Sequence, residues 1–228
     1  MNPSSRGDGR AGRAPRESYT WPLVAIIVVI VPQVLVPVRD RVGPPLAVPI
    51  VEGVVVLVML GIAARPGPVP RGARPAVLVL LGLLIAANVG AASRLVALVL
   101  DGGKVDGAPL TAGRLLVSGA LVLAANVVTF AVLYWQLDLD GPAGRAGDLA
   151  RYPDFQFPQT ATSGLAAPTW RPRFPDYLYV AYTNIVAFSP TDTMPLTSRA
   201  KALMMLQSLV SVGVLVVVVS RVINILPS

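Results

Sequence analysis

Apolar runs bounded by charge divide the chain into a regular series. Residues 21–38, 46–64, 76–100 and 114–135 are four such runs, and 203–226 is a fifth. A hydrocarbon core of ~30 Å takes about 20 helical residues to cross, and these runs have that length. A sixth, 174–190, has 17 residues and reaches about 26 Å at ~1.5 Å per residue. The pattern predicts an all-α, polytopic transmembrane helix bundle of six spans, with five spans plus a re-entrant segment at 174–190 as the alternative. Economy of backbone favours six, because a helix satisfies its own amides in lipid whereas a re-entrant loop must be shielded by protein.

Four divisions follow. Residues 1–20 form a basic tail with Arg6, Arg10, Arg13 and Arg16, whose Gly/Ser/Arg composition predicts disorder. Residues 21–135 hold the four-span bundle. Residues 136–173 are a connection rich in proline and aromatic residues, either a cap folded back on the membrane surface or a docking site for a partner. Residues 174–228 are read as a C-terminal helical hairpin around an FSPTDTMP turn. The first run resembles a secretory signal at its basic front, but its exit, LVPVRDRVG, has no small-x-small cleavage site, so it reads as an uncleaved span.

Charge sets the side. With the N-terminus in the cytoplasm, six spans place 12 basic residues inside, and the re-entrant alternative places 13 inside. The positive-inside rule is met either way, so it does not decide the fate of 174–190. The expected location is the bacterial cytoplasmic membrane, multi-pass, with both termini inside in the six-span reading. Arginines beside a span are explained by topology and anionic lipid, so no nucleic acid is expected as a partner. The partners are the lipid bilayer and either a second copy or another membrane protein.

Composition agrees with the membrane class: 54% of residues are hydrophobic, 14% are charged and the mean hydropathy is +0.66. The chain has no cysteine and no histidine. That removes thiol nucleophiles, disulfides, the usual zinc sites and histidine acid–base catalysis. No G-x-x-x-x-G-K-[ST] occurs, so a nucleotide-driven pump is not encoded. The expectation is a protein without catalysis, cofactor or metal.

The remaining polar candidates are few. Glu52 lies inside the second run, where a carboxyl is expensive and functional by default, unless it snorkels outward or pairs with Arg39 or Arg41. Asn88 and Asn126 sit mid-span in similar AAN contexts beside small residues, suited to interhelical hydrogen bonds. Gln207 and Ser211, four residues apart, share one face of the last helix. Thr183, Ser189, Thr191 and Asp192 surround the FSPTDTMP stretch as pore-lining or turn residues. In the turn reading Pro190 ends a helix, Asp192 bonds nearby amides, and Thr197 or Ser198 caps the last span.

Two resemblances rest on this C-terminal region. Asp192, Pro195 and Thr197, as D-x-x-P-x-T, together with Tyr182, Thr183 and Gly213, resemble the pore module of tetrameric cation channels over about fifty residues. That resemblance implies a pore helix, a filter loop and an inner helix. The filter position, Ala187 to Thr191, has no glycine and holds Pro190, so it cannot form a carbonyl filter of the potassium-channel kind. Selection would fall to side-chain rings of Ser189, Thr191 and Asp192. The runs YWQLDLDGP, YPDFQFPQ, WRPRFPDYLY, TNIVAFSPTDTMPLT and RVINIL resemble a family of uncharacterised integral membrane proteins of bacteria with GC-rich genomes. The 17 arginines against two lysines fit such a codon bias. This resemblance implies a polytopic inner-membrane protein and brings no activity or site.

Overall fold

A computed structural model describes residues 17–35, 47–65, 72–101, 104–105, 108–109, 111–145, 152–187 and 192–225. It is all-α in its main elements. The helices are α1 (Thr20–Leu35), α2 (Ala47–Ala63), α3 (Ala73–Leu100), α4 (Ala112–Leu137), α5 (Gly141–Arg145), α6 (Pro158–Ala161), α7 (Phe174–Val186) and α8 (Ser198–Ile225). Strands β1 (Lys104–Val105) and β2 (Ala108–Pro109) pair antiparallel between α3 and α4. Strands β3 (Phe155–Gln156) and β4 (Met194–Pro195) pair antiparallel, with Phe155 opposite Pro195.

Among the described residues three helices are long and apolar enough to cross a membrane: α3, α4 with its continuation to Arg145, and α8. This is a membrane protein. The apolar helices α1 and α2 are shorter, at 16 and 17 residues.

Local signals set the helix starts. Thr111 caps α4 by accepting from the Arg114 amide at 3.3 Å, and Thr197 caps α8 by accepting from the Ala200 amide at 3.2 Å. At α7 the Asp176 carboxylate accepts from the Arg173 amide at 2.7 Å, with Pro175 in the first turn.

Cross-helix bonds fix the directions. Gln33, near the end of α1, reaches Glu52, near the start of α2. Arg74, at the start of α3, reaches Gln136, at the end of α4. Gly119 of α4 abuts Val218 of α8, so these two helices are antiparallel. One end of the bundle therefore gathers the starts of α1, α3, α7 and α8 and the ends of α2 and α4. We call it the capped end.

The hairpin expected for 174–228 is corrected here. Gln207 donates to the Ala181 carbonyl at 2.9 Å and Asn184 donates to the Met204 carbonyl at 3.0 Å. Near its own start, Tyr177 of α7 bonds Asp138, just past the end of α4, while Arg199 at the start of α8 bonds Asp154. Both helices thus begin at the capped end and run parallel. With 13 residues, α7 is about 18 Å long, so it stops near the level where α8 is one third complete. The seven steps from Ala187 to Met194 have a reach of about 25 Å, enough to return to the capped end. A short amphipathic helix has this option because the partner α8 supplies the hydrogen bonds that lipid would not.

The disorder expected for 1–20 is corrected at its end. Glu17 and Tyr19 pack on Trp135, and α1 begins at Thr20. Residues 1–16 lie outside the described residues. Among the described residues of the connection 136–173, Phe155, Phe157 and Trp170 pack in a ring cluster with Tyr134 and Tyr177 at this end of the bundle. The centre of the bundle is the second half of α4, where residues 129–136 are buried on all sides. Trp135, Tyr134 and Tyr177 are fully enclosed.

Candidate functional site

Two polar layers lie along α4, α7 and α8. The first caps the bundle. Arg145 ends α5 and points its guanidinium back under α4. Its Nε and Nη2 donate to Glu17 Oε2 at 3.1 and 2.8 Å, and its Nη1 donates to the carbonyls of Trp135 and Asp138 at 2.8 and 2.9 Å. Nη1 also reaches the Tyr177 hydroxyl at 3.3 Å. The planar fork lies against two aromatic rings, 5.8 Å from the centre of Trp135 and 5.1 Å from that of Tyr177. Only an arginine offers this many donors in one plane together with a stacking face.

Asp138 links that guanidinium to the cap. Its Oδ2 accepts from the Tyr177 hydroxyl at 2.6 Å and its Oδ1 from the Asp154 amide at 2.6 Å. Asp154 in turn holds the start of α8. It accepts from Thr197 Oγ1 and takes the Arg199 guanidinium in a two-point pair, Nε to Oδ1 at 2.7 Å and Nη2 to Oδ2. A chain of charge-assisted bonds therefore runs from Glu17 through Arg145, Tyr177, Asp138 and Asp154 to Arg199. Such bonds are about twice as strong as neutral ones.

The backbone that brings Arg145 under α4 is tightly constrained. Leu139 and Asp140 have φ of 51° and 60°, and Gly141 follows at 77°. Left-handed geometry is unusual for a leucine. At Gly144 a Cβ atom would sit 2.0 Å from the Leu139 carbonyl oxygen, so only glycine closes this turn.

The second layer lies one third of the way along α8. Gln207 is fully buried. Its Oε1 accepts from the Tyr134 hydroxyl at 2.8 Å and from Asn184 Nδ2 at 2.9 Å, and its Nε2 donates to the Ala181 carbonyl. Asn126 Nδ2 donates to Ser211 Oγ at 2.7 Å and to the Gln207 carbonyl at 3.2 Å. The Asn126 Oδ1 atom is buried with no hydrogen-bond partner. Ser208 donates to the Asn184 carbonyl at 3.3 Å. These side chains bind the half-length α7 between α4 and α8.

The predicted site residues separate into groups. Asn126, Gln207 and Ser211 come together in this layer. Asn88 stands apart and donates to Thr129 at 3.1 Å, joining α3 to α4. Glu52 accepts a hydrogen bond from Gln33 at 2.8 Å. Arg39 and Arg41 lie outside the described residues, as do Ser189 and Thr191. Thr183 returns its hydroxyl to the Tyr179 carbonyl within α7. Asp192 accepts from Thr193 at 3.3 Å, two residues before β4.

Sequence reasoning missed Glu17, Tyr134, Asp138, Arg145, Asp154, Tyr177 and Asn184. The available signal was the acidic pair flanking a leucine in LDLDGP, directly after a helix too apolar to end on charge without reason. No family model, curated protein or solved structure matches the chain.

Proposed function

We propose that this chain is a multi-pass protein of the bacterial cytoplasmic membrane that forms a channel-like conduit for ions. In this reading it crosses five times, on α1, α2, α3, α4 and α8, and carries α7 as a half-helix that enters and leaves from one face. The observation that supports it is the parallel course of α7 and α8 from the capped end. Non-helical backbone at membrane depth is tolerated only where protein shields it or where it lines a water-filled cavity. The order α4, α7, return segment, α8 is also that of the outer helix, pore helix, filter and inner helix in the channel module that the C-terminal region resembles.

Charge assigns the face. Among the described residues the capped end carries Arg65, Arg74, Arg145, Arg171, Arg173, Arg199 and Lys201, and the opposite end Arg94, Lys104, Arg114 and Arg221. The capped end is then cytoplasmic, and the C-terminus lies outside, in place of the two inside termini of a six-span chain. This inverts the potassium-channel arrangement, whose loop enters from outside. The carbonyl end of α7 lies at membrane depth with no basic residue in its last turn, which favours cations there. Tyr179, Tyr182 and Val186 face outward from α7, so the conduit is completed between copies of the chain.

The test is ion flux through purified protein in liposomes, with Thr191→Cys as its topological control. Cation flux that is reduced by Asp192→Asn, with Thr191→Cys labelled by an impermeant maleimide only in inverted vesicles, is the expected result. Absence of flux in folded, reconstituted protein removes the conduit and leaves a non-conducting scaffold or regulatory subunit that acts through a partner. Labelling from outside intact cells removes the sidedness.

A further inference from the structure

We propose that Glu52 is a proton-binding site within the membrane, separate from the α4–α7–α8 layers and independent of the conduit reading. Glu52 lies five residues into α2, about 7.5 Å from its start, and is 2% exposed. Its hydrogen-bond partner is Gln33 of α1, whose Nε2 donates to Oε2 at 2.8 Å.

The partner is itself held in place. Pro32 lies within α1 and has no N–H to give to the carbonyl of the preceding turn. On the next residue, the other Gln33 Nε2 hydrogen goes to the Val29 carbonyl at 3.2 Å. Both amide hydrogens are thus committed, one to the backbone and one to the carboxyl.

No cation among the described residues bonds this carboxyl. Helix α1 carries no charged residue, and α2 carries Glu52 alone. Helix α3, which packs on α2, carries Arg74 at the opposite end and Arg94, which is exposed, with Asp101 just past its last turn. The segment joining α1 to α2 contains Arg39, Asp40 and Arg41, outside the described residues. One neutral amide does not offset the desolvation of a full carboxylate, whereas the protonated acid asks far less of its surroundings. A carboxyl so placed takes up H⁺ as its stable state and releases it only when water or a cation reaches it. Intramembrane carboxyls of this kind serve proton relays.

A hydrophobic carbodiimide tests this directly, because it adds to a protonated carboxyl, which supplies the proton the reagent needs. Purified full-length protein in mild detergent is treated across a pH series and its peptides are mapped by mass spectrometry. The expected result is an adduct at Glu52 that is absent in Glu52→Gln, declines as pH rises and is not formed by a water-soluble carbodiimide. Gln33→Leu removes the N–H that favours the carboxylate, so the yield of adduct at a given pH should rise severalfold. The wild-type adduct is informative even where a variant folds poorly. No adduct at any pH, an adduct of equal yield with the water-soluble reagent, or labelling that ignores pH each overturns the proposal.

Discussion

Replacing Gln207 by leucine tests what holds α7 inside the bundle. The two side chains are close in volume, so the substitution opens little cavity and removes hydrogen bonds instead. Three are lost: the donation to Ala181 and the acceptances from Tyr134 and Asn184. Interhelical side-chain bonds in membranes average ~0.6 kcal/mol and reach about 1.7. The variant should therefore lose about 2 kcal/mol, with a ceiling near 5. Titration with a denaturing detergent in mixed micelles, followed by far-UV circular dichroism, measures this. A cycle with Tyr134→Phe should return a coupling of roughly 0.6 kcal/mol. A second readout is local. With Val186→Cys marking the end of α7, maleimide labelling should quicken in the Gln207→Leu background as the half-helix loosens. A loss below ~0.5 kcal/mol together with unchanged labelling would refute the assignment, because surface-like substitutions fall in that range.

Two further outcomes probe the cap. Gly144→Ala places a Cβ atom 2.0 Å from the Leu139 carbonyl and should cost at least about 1–3 kcal/mol, whereas Gly53→Ala, which meets open space, should stay within ~0.5 kcal/mol in the same denaturation. Arg145→Lys cannot reproduce bonds to Glu17, to two carbonyls and to the Tyr177 hydroxyl together; a loss of at least about 2 kcal/mol is expected, with a weakened near-UV circular dichroism signal from Trp135.

Much of the bundle was legible because lipid imposes a simple demand. Four of the apolar runs became α1 to α4 within a few residues, since each had to satisfy its own amides. Thr197 was legible as a cap because its hydroxyl precedes an apolar run. Asn126, Gln207 and Ser211 were legible as polar residues that must find partners in a low-dielectric interior. Their meeting was not. The bond between Asn126 and Ser211 joins residues 85 apart, and no spacing along the chain reports it. The cap was least legible, since Arg145 reads as one more cytoplasmic arginine until the turn at Leu139, Asp140 and Gly141 folds it under Trp135.

The course of α7 shows why apolar length alone misleads. A run of 17 residues measures how far a segment reaches in the membrane, and it carries no sign for the direction in which the next helix leaves. Direction was set by residues far from the run: Asp154, placed by Asp138, holds both Thr197 and Arg199 at the capped end. With the start of α8 pinned there, α7 and α8 both begin at the capped end. The signal lay in the opposite characters of two neighbours, an aromatic, proline-rich connection that needed burial and a polar stretch that needed partners. Each supplies what the other lacks, and their pairing as β3 with β4 is the cheapest way for both to leave water.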